Sequence, residues 1–167
     1  MIKFVRLAAL AAVATIAATP AAAQVAANPK ATARVNVIKP LTLAVEQNLD
    51  FGTVIVTGDS TVTITQAGGG VCGNAADVTC DFTGATVARY RVTGSNNQQV
   101  NITAIGSNLT RVGGGSIAFT PSAPASVNLP NSGATGETFN VGGSLALLAS
   151  LPAGVYTGTV EVTVQYN

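Results

Sequence analysis

The sequence predicts an all-β fold: an immunoglobulin-like antiparallel β-sandwich completed by an N-terminal donor strand. Three observations predict it. Apolar and polar residues alternate in many short segments, which is the pattern of half-buried strands. Those segments are separated by turn residues drawn from 18 glycines, 7 prolines and several asparagines. No helical periodicity follows residue 23, and no repeat of 20–50 residues is visible, so the pattern favours a sandwich over a solenoid.

Residues 1–23 have the pattern of a secretory signal peptide. Lys3 and Arg6 precede a short apolar run, and Ala21–Ala23 offer a small-residue cleavage site. The apolar run is too short to span a bilayer comfortably, and no second one follows. We therefore expect an exported protein without an integral membrane span, found in the periplasm in transit and then at the cell surface or outside the cell.

The remaining chain has the size of one domain with a core of its own. We expect an N-terminal extension over residues 24–38 and a single sandwich over residues 39–167. In the extension, apolar Ala31, Ala33, Val35 and Val37 alternate with polar residues, as in a strand with one buried face. Pro40 should interrupt the ladder after them, because it lacks an N–H group.

The strands of the sandwich are expected in order along the chain. The first continues the odd-numbered apolar face through Leu41, Leu43 and Val45. A loop that begins at residues 68–70 should hold both cysteines, and prolines 121 and 124 should divide two short strands. Phe139 and Val141 should lead into residues 142–143 and then the apolar run 145–148. The apolar residues expected in the later strands are Val54, Val56, Val62, Ile64, Ala88, Tyr90, Val92, Val100, Ile102, Ala104, Ile117, Phe119, Val127, Leu129, Phe139, Val141 and Leu145.

The last strand is the clearest of all. Every second residue from Tyr156 to Tyr166 shares one face, which includes Val160, Val162 and Val164, and polar residues alternate with them. Tyr156 stands where immunoglobulin-type sandwiches carry a corner tyrosine, although a plain aromatic core residue would give the same pattern. A core strand at the very end of the chain needs a neighbour that no later residue supplies.

The spare N-terminal strand and the unpaired last strand suggest subunits that complete one another. The donor face would be Ala31, Ala33, Val35 and Val37, and the acceptor edge would be Tyr156, Val160, Val162, Val164 and Tyr166. Such a contact joins two different surfaces, so it need not close and builds a fibre. In the alternative, residues 31–37 form the first strand of their own sandwich and pair with residues 156–166 within one chain.

Cys72 and Cys80 close a short loop in a chain that we expect to be exported. A structural disulfide is the expected state in an oxidising compartment. A metal pair or a redox site would compete with it. A metal would need further ligands, and the chain contains no histidine and no Cys-x-x-Cys motif.

The residue inventory argues against an enzyme. The absence of histidine removes the Ser-His and Cys-His nucleophile arrangements. The acidic residues are scattered with no paired spacing, and the glycine runs at 68–70 and 113–115 lack the context of a phosphate-binding loop. After Ala23 the net charge is −1, which does not favour nucleic acid as a partner. No enzyme activity, cofactor or metal site is predicted.

Three ordered segments carry a family resemblance. They are Leu49-Asp50-Phe51-Gly52, Phe139 to Leu145, and Gly154 to Gly158 before a terminal Val-x-Val-x-Tyr strand. Together they resemble domain of unknown function 4402, a family of exported bacterial proteins. The first and last elements are also similar to the spore coat U domain and to archaic or alternative chaperone–usher pilins.

The resemblance implies a role and partners. Residues 24–38 would be the donor segment, and residues 156–167 the edge that faces first a periplasmic chaperone and then the next subunit. The partners would be further copies of the chain, head to tail, with an outer-membrane usher. The expected function is thus a structural subunit of a surface fibre or pilus with a role in adhesion. The alternative is a self-contained exported coat or binding domain.

Overall fold

The computed structural model of the protein describes residues 30–131 and 135–167. The predicted signal peptide and residues 24–29 of the extension lie outside the described residues. Within the described part the chain forms strands and turns without helix, and every strand pairing is antiparallel. The prediction of an all-β antiparallel sandwich is therefore confirmed. The described residues contain no helix with the length and hydropathy needed to cross a membrane.

Twelve strands make up the described structure. The first six are β1 Thr42–Gln47, β2 Thr53–Val56, β3 Ser60–Ile64, β4 Gly70–Cys72, β5 Val78–Asp81 and β6 Ala88–Thr93. The other six are β7 Gln98–Gly106, β8 Leu109–Thr110, β9 Ser116–Ser122, β10 Ser126–Leu129, β11 Glu137–Leu147 and β12 Val160–Tyr166.

The strands form three sheets. The largest has seven strands, with the order β1-β6-β11-β3-β4, and it includes β9, which pairs with β11, and β8, which pairs with β9. The second has the order β10-β7-β12, and the third joins β2 to β5. Strand β1 lies at one end of the seven-stranded order, and β12 lies at one end of the three-stranded sheet. β1 pairs with β6, and β12 pairs with β7.

The hydrophobic core consists of two clusters. The first cluster has β6 and the early half of β11 on one side, and β7 and β10 on the other. It includes Tyr90, Val100, Leu129 and Phe139. The rings of Tyr90 and Phe139 stack with centroids 5.6 Å apart. The second cluster includes Val62, Val78, Phe119 and Leu145. The period-2 patterns of the sequence thus place their apolar faces inward, as strands with one buried face do.

Gly142 and Gly143 link the two apolar segments of one long strand. They lie inside β11, which continues for 11 residues from Glu137 to Leu147. Strand β11 pairs with β6 before this point and with both β3 and β9 after it. A Cβ atom at Gly142 would lie 2.1 Å from the carbonyl oxygen of Ile64. Glycine is needed because backbones approach too closely for a side chain.

Of the two prolines expected to divide two strands, Pro124 lies between β9 and β10, as predicted, but Pro121 lies within β9 opposite Gly143 of β11. The second neighbour of β9 is β8, which pairs only at Ser116 and Ile117. The other edge of β9 at Pro121 therefore has no strand partner in the described chain. A proline is tolerated on such an edge because its missing N–H group breaks no ladder bond.

The disulfide between Cys72 and Cys80 is present, as predicted, with the two Cα atoms 5.9 Å apart. The cysteines lie on β4 and β5 rather than in a loop, which corrects the sequence-based expectation. The turn between these strands is closed by a hydrogen bond of 2.6 Å from the Asn74 amide to the Asp77 carboxylate. The crosslink therefore joins the edge of the seven-stranded sheet to the two-stranded sheet.

The chain divides into two compact units, residues 1–35 and residues 36–167. All twelve strands belong to the second unit. Of the first unit the structure describes residues 30–35, which are exposed and form no strand. Residues 36–41 also form no strand, so the sandwich begins at Thr42.

Candidate functional site

Strand β12 forms one end of the three-stranded sheet. Its seven residues pair with β7 from Val160 opposite Gly106 to Tyr166 opposite Val100. Within the described residues its other edge has no strand partner. An edge of this kind presents a row of backbone N–H and C=O groups that another strand can pair with.

The inward face of β12 lies over incompletely covered core. Val160, Val162, Val164 and Tyr166 are half-buried against the first cluster, while the alternate residues are exposed. Strand β1 forms the corresponding end of the opposite sheet, and its Leu43 is half-buried against the same cluster. Both sheets thus end beside the same part of the core. We call the margin formed by β12 and β1 the open edge.

Two tyrosine hydroxyl groups tie the sheets together near the two ends of β12. At its start, Tyr90 of β6 donates a hydrogen bond of 3.1 Å to the carbonyl oxygen of Val160. At its end, Tyr166 donates a bond of 2.6 Å to the carbonyl oxygen of Lys39 and accepts one of 2.8 Å from the N–H group of Ser95. Burial raises the pKa of the Tyr90 hydroxyl. These bonds therefore hold the open edge in place although no strand of the described residues covers it.

We expect Tyr166→Phe to lower the free energy of unfolding by about 1–2 kcal/mol, because two hydrogen bonds lose their shared hydroxyl. Urea unfolding followed by circular dichroism measures the loss. Tyr156→Phe is the matched control, since its hydroxyl makes one bond, of 2.8 Å, to the Pro152 carbonyl oxygen. An equal or smaller loss for Tyr166→Phe than for the control would contradict a tie at the end of β12.

Tyr156 does not lie on the open edge, which corrects the expected extent of the last strand. Strand β12 begins at Val160. Before it, Thr157 pairs with Thr110 through two backbone hydrogen bonds, and the N–H group of Thr159 bonds the Ser107 hydroxyl at 2.8 Å. The regular ladder is interrupted because a side chain takes one of its donors.

Tyr156 instead packs against the second core cluster. Its hydroxyl bonds the backbone four residues upstream, at Pro152. This is the hydrogen bond of a corner tyrosine, which the sequence analysis considered beside a plain core residue.

The expected donor residues are solvent-exposed in the structure. Ala31, Ala33, Val35 and Val37 lie in no strand, and Val35 and Val37 are 81% and 84% exposed. These residues take part in no strand pairing in the described chain. Their role stays a prediction.

A shallow surface cleft of about 430 Å³ is lined by Gln66, Arg89, Pro124 and Asn140, among others. Arg91, which lies on β6 with Arg89, forms an ion pair with Glu46, in which Nε of Arg91 and Oε1 of Glu46 are 2.5 Å apart. In the described ranges no three His, Cys, Asp or Glu residues are grouped so that they could hold a metal ion. Asp81 is the exposed last residue of β5, and the hydrogen bonds from Thr83 lower the pKa of its carboxyl group.

The residues that carried the family resemblance have structural roles. Asp50 pairs with Thr86 through two backbone bonds, and its carboxylate accepts the N–H group of Gly52 at 2.8 Å. Gly52 has a positive φ of 74°, and a Cβ there would lie 2.4 Å from the carbonyl oxygen of Asp81. Phe51 packs edge-on against Phe119. This turn carries the chain from β1 to β2 and into the second cluster.

Sequence reasoning missed the parts of the site that depend on distant residues. Tyr90 was expected in the core, but nothing in its local pattern shows that its hydroxyl reaches Val160, 70 positions along the chain. No local pattern singles out Ser95 either, whose N–H group bonds the Tyr166 hydroxyl. A buried tyrosine on a strand does carry one general signal, because its hydroxyl needs a partner.

Comparisons with known proteins give the family and nothing further. No curated protein and no solved structure gives a significant match to the chain. The family model described as Domain of unknown function (DUF4402) matches residues 41–166. That range includes all twelve strands, and so both strands of the open edge, β1 and β12. The chain belongs to the DUF4402 family.

Proposed function

We propose that the protein is a structural subunit of a bacterial surface fibre, assembled by donor-strand complementation. The observation that carries the proposal is the open edge. Strand β12 has no partner on one side in the described chain, and its inward residues lie half-buried over the core. A further strand added there would pair with the free backbone groups of β12 and cover the core at the same time.

The donor in this proposal is the segment of residues 31–37 of another copy. Its apolar face, Ala31, Ala33, Val35 and Val37, would lie on the core, and its polar face would point to solvent. Two valines contribute at least about 1.5 kcal/mol each and every ladder bond about 1 kcal/mol net, so roughly 10 kcal/mol per junction is available before association costs.

The geometry of the contact favours a polymer. The donor segment and the open edge are different surfaces, so each copy can give one strand and receive another. A chain of copies built this way is open at both ends, which makes it a fibre rather than a closed ring. We infer a role in adhesion for such a fibre at the cell surface.

An open edge also needs protection before assembly, because an exposed strand edge promotes aggregation. In this proposal a periplasmic chaperone covers β12 first, and an outer-membrane usher then passes the subunit to the growing fibre. Export through the predicted signal peptide of residues 1–23 places the chain in that compartment.

The test is removal of the donor segment. We expect the exported chain from residue 24 to give ladders in gel electrophoresis that resist detergent until the sample is heated. A chain that begins at residue 39 should give no ladders, because it keeps all twelve strands but has no strand to donate. A synthetic peptide of residues 24–38 should then bind the shortened chain in a 1:1 ratio and raise its melting temperature.

Two results would contradict the proposal. Ladders that persist in the shortened chain would show that another surface joins the copies. A stable monomer of the longer chain, with a shortened chain that no longer folds, would mean that residues 31–37 complete their own sandwich. The second result would favour the self-contained coat or binding domain.

A further inference from the structure

Two valines are exposed on neighbouring loops at one end of the sandwich. Val112 is 98% exposed and Val155 is 80% exposed. Their loops lie side by side, because a Cβ atom at Gly154 would lie 2.4 Å from Cδ of Arg111, and one at Gly115 would lie 2.7 Å from the Tyr156 hydroxyl. We call this pair the valine tip. Exposed apolar side chains grouped on loops are candidates for a contact surface.

The valine tip lies at the end of the sandwich where β12 begins. Thr110 and Thr157, which adjoin the two loops, are joined by two backbone hydrogen bonds of 2.8 and 2.9 Å. Strand β12 starts three residues after Thr157 and runs away from the tip. At its other end Tyr166 bonds Lys39 and Ser95, beside the start of β1. The valine tip and the start of β1 therefore mark opposite ends of the open edge.

The tether between the donor segment and its own sandwich is short. Residues 38–40 separate Val37 from Leu41, and an extended chain spans at most about 3.6 Å per residue. Val37 and Leu41 can therefore be at most about 14 Å apart. If Val37 lies in the open edge of another copy, the start of β1 must lie close to that copy. The direction of the donor strand decides which end of that copy's open edge the start of β1 approaches.

An antiparallel direction is favoured. Every pairing in the described structure is antiparallel, and antiparallel ladders are slightly more stable per residue than parallel ones. A donor antiparallel to β12 places Val37 near Val160, at the end with the valine tip. Ile38, which is 43% exposed, and Pro40, which is also exposed, would then leave the groove beside Val112 and Val155.

We propose that the valine tip binds the tether of the next copy in the fibre, with Val112 and Val155 packed against Ile38 and Pro40. This inference rests on the proposed fibre function and adds a second contact to each junction. Ile38 and Pro40 are apolar like the valine tip, and the donor strand holds them within reach of it. The contact fixes the angle between successive copies, which a junction held by the donor strand alone would leave free.

A disulfide trapped between copies tests the contact. The pair Ile38→Cys and Val112→Cys should give a ladder that survives heating without reductant and collapses to monomer with it. The native cysteines are already bonded to each other, so they leave no free thiol. The control pair is Ile38→Cys with Ile55→Cys, because Ile55 is exposed on β2, a strand outside the open edge. The control pair should give no heat-resistant ladder.

The outcomes separate this inference from the fibre proposal. Heat-sensitive ladders without a trapped disulfide would overturn the tip contact and leave strand exchange standing. A disulfide between copies trapped equally in the control pair would show that the thiols react without the tip contact, and it would also overturn the contact. The absence of heat-sensitive ladders from the unaltered chain would overturn both proposals.

A second variant keeps the test valid if the added thiols disturb export. Val112→Asp with Val155→Asp should leave the melting temperature of the monomer unchanged, because both side chains are exposed, and lower the temperature at which the ladders dissociate. Ile55→Asp is the control, since Ile55 is 62% exposed on β2. Equal dissociation temperatures for the tip variant and the control would overturn the contact.

Discussion

Gly142→Ala is expected to lower the free energy of unfolding by about 3 kcal/mol or more, a large part of the 5–15 kcal/mol typical of a domain. The added methyl group would lie 2.1 Å from the carbonyl oxygen of Ile64 and 2.8 Å from the carbonyl carbon of Thr65. Both neighbours are backbone atoms, so no side chain can turn aside to make room. Strand β3 would have to move away from β11, with loss of their ladder bonds.

Urea unfolding followed by circular dichroism would measure this loss as a lower midpoint. Gly69→Ala is the matched control, because Gly69 also has an ordinary φ and a Cβ there meets only the Thr65 hydroxyl, at 3.5 Å. We expect the control to stay within about 0.5 kcal/mol of the natural chain. If the two variants lost equal stability, the close approach at Gly142 would not be what requires glycine.

The same position shows where the local sequence stops predicting the fold. Most strands could be predicted because alternation is a local signal, and a buried face requires it at each residue. Glycine gives no such signal, since it is found in turns far more often than in strands. The pair Gly142-Gly143 lies in a strand because β3 and β9 approach β11 from both sides. That reason is tertiary, so the local sequence does not contain it.

The candidate site could be predicted in part for a similar reason. The alternation of Val160, Val162, Val164 and Tyr166 predicted the inward face of β12, which the structure has. The start of the strand was predicted four residues too early, because Thr159 gives its N–H group to a side chain, that of Ser107. The bonds from Tyr166 to Lys39 and Ser95 join residues 127 and 71 positions apart, and no local pattern encodes them.

Val35→Asp with Val37→Asp is expected to abolish polymerisation without destabilising the monomer. In the monomer both valines are more than four-fifths exposed, so two carboxylates there remain solvated and the melting temperature should not change. In the proposed junction the same positions face the core beneath the open edge. An unpaired carboxylate buried there costs about 3 kcal/mol or more, which weakens each junction more than 100-fold per substitution.

The matched control is Thr32→Asp with Asn36→Asp. It adds the same two charges to the same exposed segment, so any general effect of charge on export or solubility is equal in both variants. Because these residues alternate with the donor face, a strand in the open edge would point them to solvent. Gel electrophoresis of unheated samples should therefore show ladders for the control and only monomer for the valine variant. Ladders in both variants would mean that residues 31–37 do not enter the groove as a strand. Loss of ladders in both would mean that charge, and not the buried face, prevents assembly.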